Sequence, residues 1–279
     1  PARRDLAVDL DDAYFQDGFA RIAARSGGDD AQVLEAGQLG SAVQRLAAYA
    51  DRDSAGVWVA GVRAGEARTL RFPAQGLRVQ IPRDAVTADA VVYVRGADSF
   101  GRSLEGMTRL TRPVRLGPVG WVLHAPLEVH LDMEHPGRGE AVYRYDDYRR
   151  SWSYLASDMD SAGWTAKSDR PGVFAVFRDT AAPRLGRPSL AHVRSWATGA
   201  VWREIHIPID DAGSGFDEAR TRVRVGGARH IFRWDFVGKK LIVPLRDDSI
   251  IGQQSVRVVA FDRSGNRSTR DAVVDTGSR

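Results

Sequence analysis

Apolar residues recur at every second position over short stretches of this chain, and that spacing excludes most folds. Leu77, Val79 and Ile81 alternate with Arg78 and Gln80. Leu127, Val129 and Leu131 alternate with Glu128, His130 and Asp132. Ile205, Ile207 and Ile209 alternate with Glu204, His206 and Pro208. Successive side chains of a strand point to opposite faces, so each stretch presents one apolar face and one wet face. Further strands are expected over 91–95, 120–124, 141–146, 173–177, 221–225, 241–245 and 256–262. One stretch reads both ways: Val43, Leu46, Ala47 and Ala50 have helical spacing, and alanine favours helix. The strand-turn rhythm on either side favours β there. The expected fold class is all-β, in tandem β-sandwich domains.

At roughly 100 residues per sandwich, a chain of 279 residues holds two or three domains. Its 28 Gly and 12 Pro suit many turns rather than long helices. Two proline-bearing stretches suggest boundaries: Phe72-Pro73-Ala74-Gln75-Gly76 and Asp179-Thr180-Ala181-Ala182-Pro183. Proline donates nothing to a ladder and extends the residue before it, which suits a linker. The expected division is 1–74, 75–179 and 180–279. The opening PARRDLAVDL, without Met, reads as a piece of something longer, so the first domain is expected to be partial.

The net charge of +4 invites a nucleic-acid reading. Yet the cations are nearly all Arg, interleaved with Asp, and Lys occurs only at Lys167, Lys239 and Lys240. A nucleic-acid groove concentrates its basic residues, and no run of like charges does so here. The Arg excess fits codon usage in a GC-rich genome. With no cysteine, disulfide staples and Cys-based zinc sites are excluded. No apolar stretch approaches the roughly 20 residues of a membrane-spanning helix.

Three segments of the third piece carry a family pattern. Ile209-Asp210-Asp211-Ala212-Gly213-Ser214-Gly215-Phe216 is followed by Val223-Arg224-Val225-Gly226-Gly227, then by Phe261-Asp262-Arg263-Ser264-Gly265-Asn266. Together they resemble bacterial Ig-like domains. Physics agrees: Gly226-Gly227 supplies the positive φ of a tight hairpin, and Ser264-Gly265-Asn266 turns the chain after a core strand. The middle piece resembles ZU5-like β-domains through Val79-Gln80-Ile81-Pro82-Arg83-Asp84-Ala85-Val86 and His124-Ala125-Pro126-Leu127-Glu128-Val129. Tyr143-Arg144-Tyr145-Asp146, Trp152 and Gly172-Val173-Phe174-Ala175-Val176 complete that pattern. The order of the two resembles the C-terminal region of secreted bacterial M23-type (lysostaphin-like) zinc peptidoglycan peptidases. The resemblance implies an exported accessory region, periplasmic, cell-surface or extracellular, with partners among other domains of the same polypeptide and cell-wall glycan or peptidoglycan.

A peptidase site of that type needs an H-x-H pair and further ligands around a tetrahedral zinc. The histidines are His124, His130, His135, His192, His206 and His230, and no two are separated by one residue. They are expected at the surface or at sheet edges. Neither a G-x-S-x-G elbow nor a phosphate-binding glycine loop occurs, and paired carboxylates for glycoside chemistry are not recognisable from sequence. No catalytic residue is assigned.

Two binding sets remain. Asp210, Asp211 and Asp217 cluster near one turn, and Asp262 with Asn266 forms another. Brought together, these oxygens suit calcium, though the same residues are ordinary turn formers. Trp196, Trp202 and Trp234 belong to one domain and are candidates for a glycan-binding face, with core packing as the plainer role. Trp202 is out of phase with the Ile205, Ile207, Ile209 row and is expected to face outward. Three functions follow: a non-catalytic spacer and interaction region beside a peptidase module, a glycan-binding or adhesion module, or a fragment of an enzyme whose zinc site lies elsewhere.

Overall fold

The computed structural model describes residues 58–97, 106–118, 121–146, 149–194, 196–245 and 250–277, together with the backbone of short strands between residues 6 and 52. The protein is all-β, with no α-helix among the described residues. Most of the stretch with helical spacing, 43–49, lies outside the described residues. Two compact units are present: Pro1–Ser103 with Arg109–Arg178, and Leu104–Thr108 with Asp179–Arg279.

After the short strands between residues 6 and 52, the first unit holds β1 (Trp58–Val62), β2 (Arg68–Phe72), β3 (Leu77–Ile81), β4 (Ala90–Gly96) and β5 (Val114–Gly117). They continue as β6 (Leu127–Asp132), β7 (Glu140–Asp146), β8 (Ser151–Tyr154), β9 (Ser157–Met159), β10 (Gly163–Ser168) and β11 (Gly172–Asp179). One antiparallel sheet runs β8-β7-β11-β5-β4-β1 and continues beyond β1 with Ala50–Arg52, with Met107–Arg109 also pairing with β11, and the other runs β9-β10-β6-β3-β2. Their facing sides share one core, with Leu77, Val79, Ile81 and Val129 from one sheet and Val92, Leu116, Phe174 and Val176 from the other. Residues 173–177 form an unbroken apolar run because β11 is buried on both faces. On its second face Phe177 meets Tyr143 at 5.4 Å and Trp152 at 4.8 Å between ring centroids.

Phe72–Gly76 is not a boundary. Phe72 pairs with Leu77 across a tight hairpin whose loop is the single 3₁₀ turn Pro73–Gln75, and Gly76 closes it in the left-handed region at φ 59°. Proline presets the turn's φ and glycine supplies the positive one, so the same punctuation that suits a linker also suits a hairpin. Residues 58–72 therefore belong to the sandwich of 77–176 rather than to a separate domain 1–74. The strand expected over 120–124 does not form either. Trp121, Leu123 and Ala125 do alternate against the core, but the segment pairs with no strand among the described residues.

The second unit holds β12 (Ser189–Arg194), β13 (Val201–Asp210), β14 (Phe216–Val225) and β15 (Ala228–His230). After them come β16 (Arg233–Asp235), β17 (Lys240–Leu245), β18 (Gln253–Asp262) and β19 (Arg267–Asp275). Strand β13 lies between β12 and β17, and β16 flanks β17; the opposing sheet runs β15-β14-β18-β19. Ile205, Ile207, Ile209, Leu241 and Val243 pack against Val223, Val225, Val256, Val258 and Ala260. Gly226 and Gly227 make the β14–β15 turn with φ 58° and 83°.

A candidate binding groove and a buried carboxylate knot

Because Ile205, Ile207 and Ile209 face the core, Trp202, Glu204 and His206 line up on the outer face of β13. Register adds their neighbours. Glu204 stands across from Pro244 on β17, His206 across from Ile242, and Ile242 across from Arg233 on β16. Trp202, Glu204, Arg233 and Pro244, with Ile231 and Phe232 from the β15–β16 connection, line an open groove of about 880 Å³. That volume is in the range of small-ligand clefts.

The indole of Trp202 is 40% exposed, and its orientation is set from below. Its Nε1–H donates to Glu204 Oε1 at 2.8 Å, and His206 Nε2 lies 3.0 Å from Glu204 Oε2. The Glu204 side chain is only 7% exposed. Burial pushes its carboxyl up, but the hydrogen bonds from Trp202 and His206 and the charges of His206 and Arg233 outweigh burial and hold it below the ordinary value. The carboxylate is therefore ionised, satisfied and withdrawn from solvent beneath the ring it orients.

The three tryptophans singled out by sequence do not share a face. Trp202 lines the groove. Trp234 pairs with Leu241 and so faces the core, its ring tilted against Phe216 at 4.9 Å between centroids. Trp196 sits in the β12–β13 turn, almost wholly exposed. Glu204 and Arg233 were not singled out. The i, i+2, i+4 spacing of Trp202, Glu204 and His206 carried that signal for Glu204, whereas Arg233 arrives on another strand and carried none.

At the other end of β13, Asp211 and Asp262 do come together, joined by Asp179. Asp179 Oδ2 accepts from Ser214 N at 2.6 Å, and its Oδ1 accepts from Ala181 N at 3.0 Å. Asp211 Oδ1 accepts from Gly213 N and Gly215 N, at 3.0 and 2.8 Å. Asp262 accepts from Asn266 N at 2.7 Å and Asn266 Nδ2 at 2.8 Å, and Nδ2 also reaches the Asp179 carbonyl at 3.0 Å. Burial pushes the Asp211 carboxyl up, and the charge of Asp179 adds to it. Burial, with Asp179 and Asp211 nearby, pushes Asp262 up to about 6.

Asp210 and Asp217 stand apart from this knot. Asp210 is exposed and pairs with Lys239 Nζ at 2.6 Å, while Asp217 accepts from Arg220 N within β14, where the pairing register with β18 shifts. No group of three or more His, Cys, Asp or Glu among the described residues is arranged to hold a metal ion. The carboxylates of the knot tie loops by accepting backbone N–H groups. A linker at 179–183 leaves no role for the Asp179 side chain, since nothing local in the sequence distinguishes a knot carboxylate from a turn residue. The histidine expectation also needs correction at His130. It is 3% exposed, with Nδ1 at 2.8 Å from Thr165 Oγ1 and Nε2 at 3.3 Å from Asp132.

Fold and groove together define an all-β protein of sandwich character with a ligand-sized groove on one sheet face. Set against known proteins, the chain matches no family model and no curated protein.

Proposed function

We propose that this chain is a non-catalytic binding and positioning region of an exported envelope protein, whose second unit docks a glycan in the Trp202 groove. The single observation behind this reading is the partly exposed indole pinned by a buried carboxylate. An aromatic face attracts the polarised C–H groups of a sugar ring, and a ring already held in place loses little conformational freedom on binding. Motif resemblance supports the exported, peptidase-associated parentage. A positioning role is supported by how the chain begins the second unit. Asp179 and Asn266 fasten residues 179–181 to the loops at 211–215 and 262–266, so the segment is a braced one.

Retention on insoluble polysaccharide or peptidoglycan tests the reading. The chain is expected to be retained, and Trp202→Ala to be washed through while still folded by circular dichroism, with a modestly lower melting midpoint because the buried Glu204 carboxylate loses a donor. Equal retention of both proteins, or of neither, would remove the groove from the account.

A further inference from the structure

We infer that the groove selects acidic saccharides, with Arg233 reading a sugar carboxylate while Trp202 stacks on the ring that bears it. The inference rests on the glycan reading and concerns the charge that the groove presents.

Glu204 is the acidic side chain of the groove lining. Both of its oxygens are occupied, by Trp202 Nε1 at 2.8 Å and His206 Nε2 at 3.0 Å, and its side chain is nine-tenths buried. It is a positioning residue for the indole, and its lone pairs are not offered to a ligand. The cations are placed differently. Arg203 forms part of the wall, with Nη1 donating to the Ile250 carbonyl at 3.2 Å and the Thr276 carbonyl at 2.9 Å. Arg233 is exposed and enters no ion pair or side-chain hydrogen bond among the described residues. It stands on β16 one strand beyond Pro244, diagonal to Glu204.

The polar group facing an incoming ligand is therefore a guanidinium, flanked by the apolar surfaces of Trp202, Ile231 and Phe232. A planar fork of donors matches a carboxylate in bidentate fashion, and that pair is stronger than one between neutral groups. A sugar carrying only hydroxyls would bury part of the guanidinium's hydration without supplying the counter-charge. A pyranose with a carboxylate meets both requirements, whether that carboxylate is a uronic acid or a lactyl ether.

Calorimetric titration of the 279-residue chain with tetragalacturonic acid, with its methyl ester and with N-acetylmuramic acid tests this. The ester keeps the sugar rings and removes the charge. The acid is expected to bind roughly tenfold more tightly than the ester. Arg233→Gln is expected to erase that difference without moving the melting midpoint. Glu204→Ala is expected to weaken ester binding, and Glu204→Gln, which still accepts from Trp202, to restore it. Binding of N-acetylmuramic acid in place of the galacturonide would assign the carboxylate to a lactyl ether.

Equal binding of acid and ester, lost in Trp202→Ala, would overturn charge selection and leave the glycan reading standing. Binding of neither, nor of N-acetylmuramic acid, would overturn both. Sodium sulfate displacing the galacturonide at matched concentration would show that the sugar ring contributes nothing, and the inference would fall.

Discussion

Asp262 is fully buried, and its carboxyl is pushed up to about 6 from an ordinary 3.8, first by burial and then by the charges of Asp179 and Asp211. A group whose pKa is higher folded than unfolded favours the folded state when protonated. Its contribution is complete below about 3.8 and lost as pH rises through about 6. Asp211 is shifted in the same direction. The second unit is therefore expected to melt at a higher temperature at pH 5 than at pH 7.5. The free-energy difference over the whole window reaches up to about 3 kcal/mol. Asp262→Asn should flatten that slope, and melting curves at both pH values check it. Glu204 acts oppositely: its carboxyl is held low, so its contribution is present above its ordinary 4.5 and lost in stronger acid.

Strand β13 shows how much one element's pattern discloses. Alternation put Ile205, Ile207 and Ile209 inside and Trp202 outside, and that is their arrangement. Ile207 is fully buried, so Ile207→Ala is expected to cost about 3 kcal/mol in urea unfolding, through lost transfer energy and the cavity left behind. The β14–β15 turn was equally legible, since a Gly-Gly pair between alternating runs specifies a hairpin. Gly227 has φ 83° and open space where a Cβ would lie. Only backbone strain opposes a substitution there. Gly227→Ala is expected to cost about 1 kcal/mol and Gly227→Asn less, measured the same way. Where the pattern misled, it was read for more than it contains. Residues 121–125 alternate because they pack on a core, yet they have no ladder partner among the described residues, since alternation reports facing and not pairing. Proline and glycine at Phe72–Gly76 report a change of direction, and a hairpin meets that description as well as a linker does.

The described residues form two separate hydrophobic cores, one built from residues between 60 and 176 and the other from residues between 205 and 274. Two cores of this kind are expected to unfold as two transitions in scanning calorimetry. Ile207→Ala should lower only one of them, and that same transition should carry the pH dependence of Asp262. A single transition displaced as a whole by the substitution would show that the cores melt as one.

Alternating burial was readable in the sequence by itself because it is local. Backbone geometry sends neighbouring strand residues to opposite faces wherever the strand ends up, so the all-β class, the inward isoleucines, the outward Trp202 and the Gly226-Gly227 turn were all legible. Which strand lies beside which was decided only by tertiary structure. Pairing is chosen by the fit of whole faces across long sequence separations. That choice joined residues 58–72 to the first sandwich, turned Trp234 inward, drew Asp179 into the knot with Asp211 and Asp262, and set Arg233 beside Trp202 and Glu204.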